Sequence, residues 1–495
     1  MSYQSGKSIA TTRRRFLQGV GSAGILTLAP GHTLAQPSSF DVLILGAGLS
    51  GLNAAYIMEQ AGARVGLLEA TQRVGGRVMT AQEAEVPGAP ELGGSGIGSQ
   101  YARLIDAARR YGVALDKSRP RTEGRVGEYF YHVRNEAILP ADWADHAANP
   151  FRDPEQRAIP LHLYQFLLYG GDENPLPKGD LAAWQNGSHG KHDVSVHDFL
   201  IARGVAPQAI KLAAGTNMSY GTSAHDLSAL MGFQSANLVR TLYANASGGA
   251  LAGRGGNQRI PEAMARGLKT EIRFGQAARA IRSSAQGVAV TTSTGETFRA
   301  KRCICTLPFS ALRHVAIEPY LEGIQAEAVS SLGYTPVFQA HFVPTRKYWE
   351  DDGLPPSMWT DQTPGRFMAL KNSLTSPDEI TSCLSFVNGE MAKYLDRLPP
   401  EQAGQRILND LHRLRPATRG ALRLVKTWSW NRSPFYGGAY AYWKPGQITR
   451  LAGNMAKPWH HLHFAGEHTA VMNRGMEGAM ESGERAAFET LSALG

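Results

Sequence analysis

Phe40-Asp41-Val42-Leu43-Ile44-Leu45-Gly46-Ala47-Gly48-Leu49-Ser50-Gly51 is the stretch on which the reading of this chain turns. An apolar run of strand length leads straight into Gly46-x-Gly48-x-x-Gly51. Leu52 to Ala61 then has helical composition and ends before Gly62, and Ala63 to Leu68 is a second β-rich run closed by Glu69. Together these predict a β-α-β unit of about 30 residues. The motif alone is weak, but its place between strand and helix makes it specific. Gly46 allows the tight turn, Gly48 lets backbone approach a pyrophosphate at the helix N-terminus, and Gly51 permits close helix–strand packing. Glu69, eighteen residues after Gly51, is placed to accept hydrogen bonds from a ribose diol.

The rest of the chain sets bounds. With 495 residues, 43% hydrophobic and 19% charged, it has room for two or three domains and is not disordered. No apolar run reaches the roughly 18 residues of a membrane helix, so no stable span is expected. The net charge of +9 includes +4 from residues 1–36 (Lys7, Arg13, Arg14, Arg15, no Asp or Glu), leaving +5 elsewhere. No basic run with interleaved aromatics follows residue 36, which argues against a nucleic-acid partner. Three cysteines (Cys303, Cys305, Cys383) cannot form a disulfide framework. Cys303 and Cys305 alternate on an expected strand and read as small buried residues. His460, His461 and His463 cluster without a Cys or acidic partner at ligand spacing, so no metal is expected. Strands are expected over Ile272 to Pro308 with a turn at Thr294-Gly295, over Val329 to Trp349 and over Ile380 to Val387. Helices are expected over 101–112, 401–415 and 476–492.

Further motifs follow along the chain. Glu69-Ala70-x-x-Arg73-x-Gly75-Gly76-Arg77 is followed by Glu91-Leu92-Gly93-Gly94-Ser95. Near the C-terminus stand Phe464-Ala465-Gly466-Glu467-His468-Thr469 and Glu477-Gly478-Ala479-Met480-Glu481-Ser482-Gly483, after Trp428-Ser429-Trp430 and Gly437-Gly438-Ala439-Tyr440. In this order they resemble the flavin-containing amine oxidase family, over about residues 38–495. The resemblance implies an α/β fold: a Rossmann-like FAD-binding domain from 38–115, 250–320 and 425–495, and a mixed α+β substrate-binding domain from 116–249 and 321–424.

The resemblance also implies roles. The loop from Arg73 through Gly76 to Arg77, next to Ala70, would lie against the pyrophosphate and flavin edge. Gly93, Gly94 and Ser95 would let the isoalloxazine approach the backbone. Ala278 would contact adenine, and Gly466 with Glu467 would face the ribityl–pyrophosphate region. Met476 would bring its main-chain N–H to the flavin N1/C2=O region, with the last helix dipole behind it. Trp430 would pack beside the flavin and Tyr440 would form one wall of an aromatic cage for an amine. The implied reaction is oxidation of an amine C–N bond to an imine by hydride transfer to flavin N5, followed by hydrolysis. O2 or a periplasmic electron carrier such as a c-type cytochrome would be the acceptor, and a homodimer is in keeping with the family.

Three departures qualify it. Ala439 stands where monoamine oxidases carry the flavin-linking Cys, so non-covalent FAD is expected. Gly475 stands where the second cage aromatic is usual, with Trp359 and Phe367 as distant candidates to replace it. The segment Leu332-Gly333-Tyr334-Thr335-Pro336-Val337 lacks the Lys that helps oxygen react in many relatives, which raises a dehydrogenase reading. A desaturase or porphyrinogen-type oxidase, and a non-catalytic flavin-binding envelope protein, stand as alternatives.

The first 36 residues read as an address. Thr12-Arg13-Arg14-Arg15-Phe16-Leu17-Gln18 resembles a twin-arginine export signal, followed by a weakly apolar Gly19 to Ala29 and by Thr33-Leu34-Ala35. Cleavage after Ala35, a bacterial origin and a periplasmic location are the expectation.

Overall fold

The computed structural model describes residues 40–117, 129–159, 161, 174–216, 219–244, 250–373 and 375–495. The expected signal peptide, residues 1–36, lies outside them. Phe40–Leu45 (β1), Leu49–Gln60 (α1) and Val65–Leu68 (β2) form the β-α-β unit. β1 pairs in parallel with β2 on one side and with Thr297–Cys305 on the other. This first sheet has eight strands and runs 316–318, 278–284, 287–292, 297–305, β1, β2, 272–273; Leu462–Phe464 also pairs with 297–305. A strand covered on both faces reads as an unbroken apolar run. Val42, Leu43 and Ile44 accordingly have no exposed surface. Cys303 and Cys305 are free and buried in this sheet.

α1 is packed between the sheet and the C-terminal helix Gly475–Leu494. Small residues let the helices come close. A Cβ on Gly483 would stand 2.2 Å from the Ser50 carbonyl oxygen, so only glycine fits. Asn53 Nδ2 donates to the Met480 carbonyl at 2.9 Å, and Ser50 and Ser482 hydroxyls meet at 3.3 Å. This contact holds the N-termini of both helices in fixed relation.

The second sheet has seven strands in the order 422–429, 337–344, 382–388, 366–370, 357–360, 129–133, 136–138. All its pairings are antiparallel except 357–360 with 129–133. Helix Pro400–Leu414 covers it with Ala403, Ile407 and Leu411, all fully buried at helical spacing. The strand expected to begin at Val329 starts later. Gly323–Ser331 is a helix, and the strands are Gly333–Tyr334 and Val337–Pro344. Gln325, Ala326, Glu327 and Ala328 are helix formers, and they outweigh the single β-branched Val329. Among the described residues no helix is long and apolar enough to cross a membrane.

Candidate active site

The turn after β1 requires glycine twice. Gly46 has φ +103 and donates its N–H to the Leu68 carbonyl at 2.7 Å. A Cβ on Gly51 would stand 1.9 Å from the Gly46 carbonyl oxygen. Gly48 differs: a Cβ there would meet only Gly76 Cα, at 3.9 Å. Its lack of a side chain is not needed for packing and leaves backbone facing open space. That space is a cavity of about 910 Å³.

Two helix N-termini open onto the cavity. Leu49 and Ser50 of α1 line it, as do Gly475, Met476 and Ala479 of the C-terminal helix, and neither helix has a side-chain N-cap hydrogen bond. Uncapped first-turn N–H groups with the helix dipole behind them favour an electron-rich ligand. Glu477, in the first turn of the C-terminal helix, turns away and accepts the N–H groups of Arg103 and Leu104. Burial raises its carboxyl pKa, against the lowering effect of these hydrogen bonds.

Glu69 is buried at the end of β2 and lines the cavity. One oxygen accepts the Ala47 N–H at 2.8 Å, and the other accepts the Thr71 N–H at 2.8 Å and its hydroxyl at 2.7 Å. The oxygen that takes Ala47 has a further acceptor site, while the other is filled by Thr71. Arg77 Nη1 donates to Glu467 Oε1 at 3.0 Å and to the Ala439 carbonyl at 3.1 Å. The same Glu467 oxygen accepts the Ala441 N–H at 2.7 Å, so one ion pair ties the Gly-Gly-Arg loop to the Tyr440 segment. The cradle fits a dinucleotide: backbone without side chains at Gly48 and Gly76, two helix N-termini and a carboxylate at the strand end.

Of the residues expected at the site, Gly46, Gly48, Glu69, Ala70, Gly76, Arg77, Gly94, Ser95, Ala278, Tyr440, Gly466, Glu467 and Met476 all line this cavity. Four expected there do not: Trp430, Gly93, Arg73 and Gly51. Trp430 is 2% exposed, donates its indole N–H to the Leu92 carbonyl at 2.9 Å and packs on Tyr436 at 5.3 Å. The cavity wall there is Tyr436 instead. Gly93 makes room for Trp430: a Cβ would stand 2.6 Å from its ring and 2.3 Å from the Arg77 carbonyl oxygen. Arg73 spends its guanidinium on the carbonyls of Val74, Gly76 and Val78 and on the Tyr436 hydroxyl, stitching its own loop. Gly51 lies outside the lining, as a packing glycine should.

Tyr440 faces Tyr220, with ring centroids 5.2 Å apart and planes at 70°. Burial pushes the Tyr440 phenol well above the ordinary tyrosine range, and Tyr220 beside it adds to this. Gly475 lines the cavity near them with φ +57, and nothing stands within 4 Å of where its Cβ would be. Trp359 and Phe367 are buried in the second sheet and do not reach the lining. Tyr220 and Tyr101 were not foreseen; no local motif marks either. Tyr436 sat unassigned beside the Gly437-Gly438 motif. No lysine or cysteine lines the cavity among the described residues. In the histidine cluster, His461 contacts Arg302, and His463 faces Glu489 at 3.7 Å with neither ring nitrogen hydrogen-bonded.

A family model described as flavin containing amine oxidoreductase matches residues 49–491. A flavin-containing amine oxidase from Danio rerio is 25% identical over 473 residues, covering 92% of this chain and 87% of the relative. The L-amino-acid oxidase BmooLAAO-I from Bothrops moojeni is 23% identical over 474 residues, covering 91% and 89%. Cyclohexylamine oxidase from Brevibacterium oxydans IH-35A superposes with a TM-score of 0.72 at 20% identity, covering 92% of this chain and 100% of that one. Putrescine oxidase bound to putrescine gives 0.68 at 22% identity, covering 92% and 99%. These structural likenesses carry the fold.

Proposed function

The chain belongs to the flavin-containing amine oxidoreductase family and is a flavin-dependent amine oxidoreductase, and from that premise we propose that it oxidises the C–N bond of a small amine to an imine around non-covalently held FAD. The observation that carries this reading is that one cavity is lined both by the glycine cradle and by the Tyr220–Tyr440 ring pair. The cofactor, when bound, supplies the two-electron acceptor for the amine's α-carbon–hydrogen bond. The chain's residues bind and orient. Glu69 takes a ribose diol, Gly46, Gly48, Gly76 and the two helix N-termini take the pyrophosphate, and Ala278 takes adenine. Glu467 and Met476 face the flavin end. Tyr220 and Tyr440 present ring faces and edges that align the amine and exclude water, while the released imine hydrolyses in solvent. Burial keeps the Tyr440 phenol protonated, so it acts by shape and dipole rather than as a base.

Non-covalent binding is supported by the three cysteines, which all lie in the two sheets and off the cavity. We place the cofactor on segments 38–115, 250–320 and 425–495 and the substrate against 116–249 and 321–424. A lining without lysine among the described residues supports an electron carrier as acceptor beside O2. The twin-arginine motif supports a bacterial origin and export of the folded, cofactor-loaded protein to the periplasm. The test purifies the mature chain from the periplasmic fraction of an expressing bacterium and mixes it without oxygen against a panel of amines. Bleaching of the flavin by an amine is expected, with reoxidation then timed in air and in cytochrome c. A chain found only in the cytoplasm sinks the export reading. A flavin that no amine bleaches sinks amine oxidation.

A further inference from the structure

Arg474 is the residue just before Gly475, and its side chain is 7% exposed. A buried guanidinium ordinarily has a carboxylate partner, since burial of an unpaired charge is costly. Among the described residues Arg474 has none. Its Nη2 donates to the Ala441 carbonyl at 3.1 Å and lies 4.0 Å from the Met231 sulfur, and its Nη1 reaches Gln234 Oε1 at 3.5 Å. The guanidinium sits over the Tyr220 ring at 4.8 Å and the Trp443 ring at 5.1 Å.

The groups around it share a second property. Arg474 Nε, Gln234 Nε2 and Trp443 Nε1 are buried and without a hydrogen-bond partner. All three are donors. Three unsatisfied donors, on Arg474 and on the two side chains it touches, Gln234 and Trp443, with one positive charge among them, call for an acceptor that carries negative charge. Tyr220 joins this cluster to the cavity, because its ring touches both Arg474 and Tyr440. Gly475 leaves the wall beside it open. Two positive charges act at this end: the fields of Arg366 and Arg474 both reach the Tyr440 phenol, opposed by that of Glu467. The two carboxylates that line the cavity, Glu69 and Glu467, are held by Ala47 and Thr71 and by Arg77 and Ala441.

We infer that Arg474, with Gln234, forms an anion subsite beside the Tyr220–Tyr440 cage, so that the preferred substrate is an amine carrying a carboxylate, an amino acid, rather than an unsubstituted amine or a diamine. This rests on the reading of the Tyr220–Tyr440 end as the substrate end. Guanidinium and carboxylate match as a planar fork. The reaction is that already proposed: the α-carbon–hydrogen electron pair leaves to the flavin, the nitrogen loses a proton, and water converts the imino acid to a 2-oxo acid and ammonium.

The experiment uses the flavin-loaded mature chain and matched pairs: L-phenylalanine with 2-phenylethylamine, L-leucine with isoamylamine, L-lysine with cadaverine. In each pair the amino acid is expected to reduce the flavin with the higher kcat/KM. In Arg474→Gln the ratio of amino acid to amine is expected to fall about a hundredfold, as loss of one partner of a buried charge pair predicts. Gln234→Leu lowers the ratio less, and Arg474→Lys recovers only part of it. Benzoate gives a readout without turnover: it is expected to perturb the flavin absorption of the unsubstituted enzyme and to compete with the amino acid. Should Arg474→Gln fail to fold, the benzoate titration and Gln234→Leu still decide. An amine that bleaches the flavin as well as its amino acid, or benzoate that leaves the spectrum unchanged, overturns the subsite and leaves amine oxidation standing. Failure of every compound overturns the reading beneath it.

Discussion

Around its glycines the cavity is lined by residues without side chains, drawn from turns that follow strands: Gly46 and Gly48 after β1, Gly76 after β2, Gly466 after Leu462–Phe464. At the tyrosine end the lining is Tyr101, Tyr220 and Tyr440, from three segments far apart in the chain. Backbone can face a ligand only where side chains are absent, so the first end is rigid in sequence and tolerates almost no change. Side chains can be exchanged without disturbing the sheet beneath them. Here the wall is left open at Gly475, while a ring comes from Tyr220 and a charge from Arg474.

Two glycines three residues apart break this comparison most sharply. Gly51→Ala puts a Cβ 1.9 Å from a backbone oxygen of the turn, and it is expected to give no soluble folded protein. Gly48→Val meets no atom nearer than 3.9 Å from its Cβ, and it is expected to fold with a normal circular dichroism spectrum yet purify colourless. The ratio of flavin to protein absorbance in the purified variant is the measurement. A yellow Gly48→Val would show that backbone approach at this glycine is not what holds the cofactor.

At the other end the same logic predicts a graded loss. Tyr440→Leu removes the ring that meets Tyr220 and is expected to lower kcat/KM about tenfold while flavin content stays normal. Tyr440→Phe, which keeps the ring and loses only a phenol that burial holds protonated, is expected to lose far less. Anaerobic flavin reduction rates against amine concentration decide it. Equal losses in the two variants would move the role from the ring to the hydroxyl.

Much of the glycine end was legible in sequence because each of its parts is a short local motif whose spacing is set by one turn. Gly46, Gly48, Glu69, Gly76 and Gly94 could be placed that way, and all line the cavity. Trp430, Gly93 and Arg73 show where motif reading stops. The segments are where the family likeness puts them, but a side chain's direction depends on tertiary partners: the Leu92 carbonyl takes the indole N–H, the indole takes the space beside Gly93, and three loop carbonyls take the guanidinium. Tyr220 and Arg474 carry no local signal. Tyr220 follows a mixed stretch without periodicity, and Arg474 precedes a helix as its uncapped N-cap residue. Their meaning lies in which groups meet them from Ala229–Ala244 and Trp443.

Between the two ends, His468 follows the cavity-lining Glu467 and supplies the smallest test. It is fully buried, neither ring nitrogen has a partner, and its ring packs on Phe309 at 4.3 Å. Burial first, then the charges of Arg77 and Arg485, depress its pKa well below the ordinary histidine value of 6.5. The folded protein thus binds fewer protons than the unfolded chain below that pH. The stability linked to neutral His468 is complete above pH 6.5 and is lost as the pH falls, at no more than about 1.4 kcal/mol per pH unit. His132, His192, His412 and His461 are also depressed by burial, so only a difference isolates His468. In His468→Gln the denaturant-derived unfolding free energy is expected to fall less steeply between pH 6.5 and about pH 5 than in the parent. Because the charge of Arg77, the partner of cavity-lining Glu467, acts on His468, flavin release on acidification is expected to follow the same shift. Parallel pH profiles for the two proteins would mean that protonated His468 finds a partner in the folded state, and that the Glu467–Arg77 link between the two ends yields to admit one.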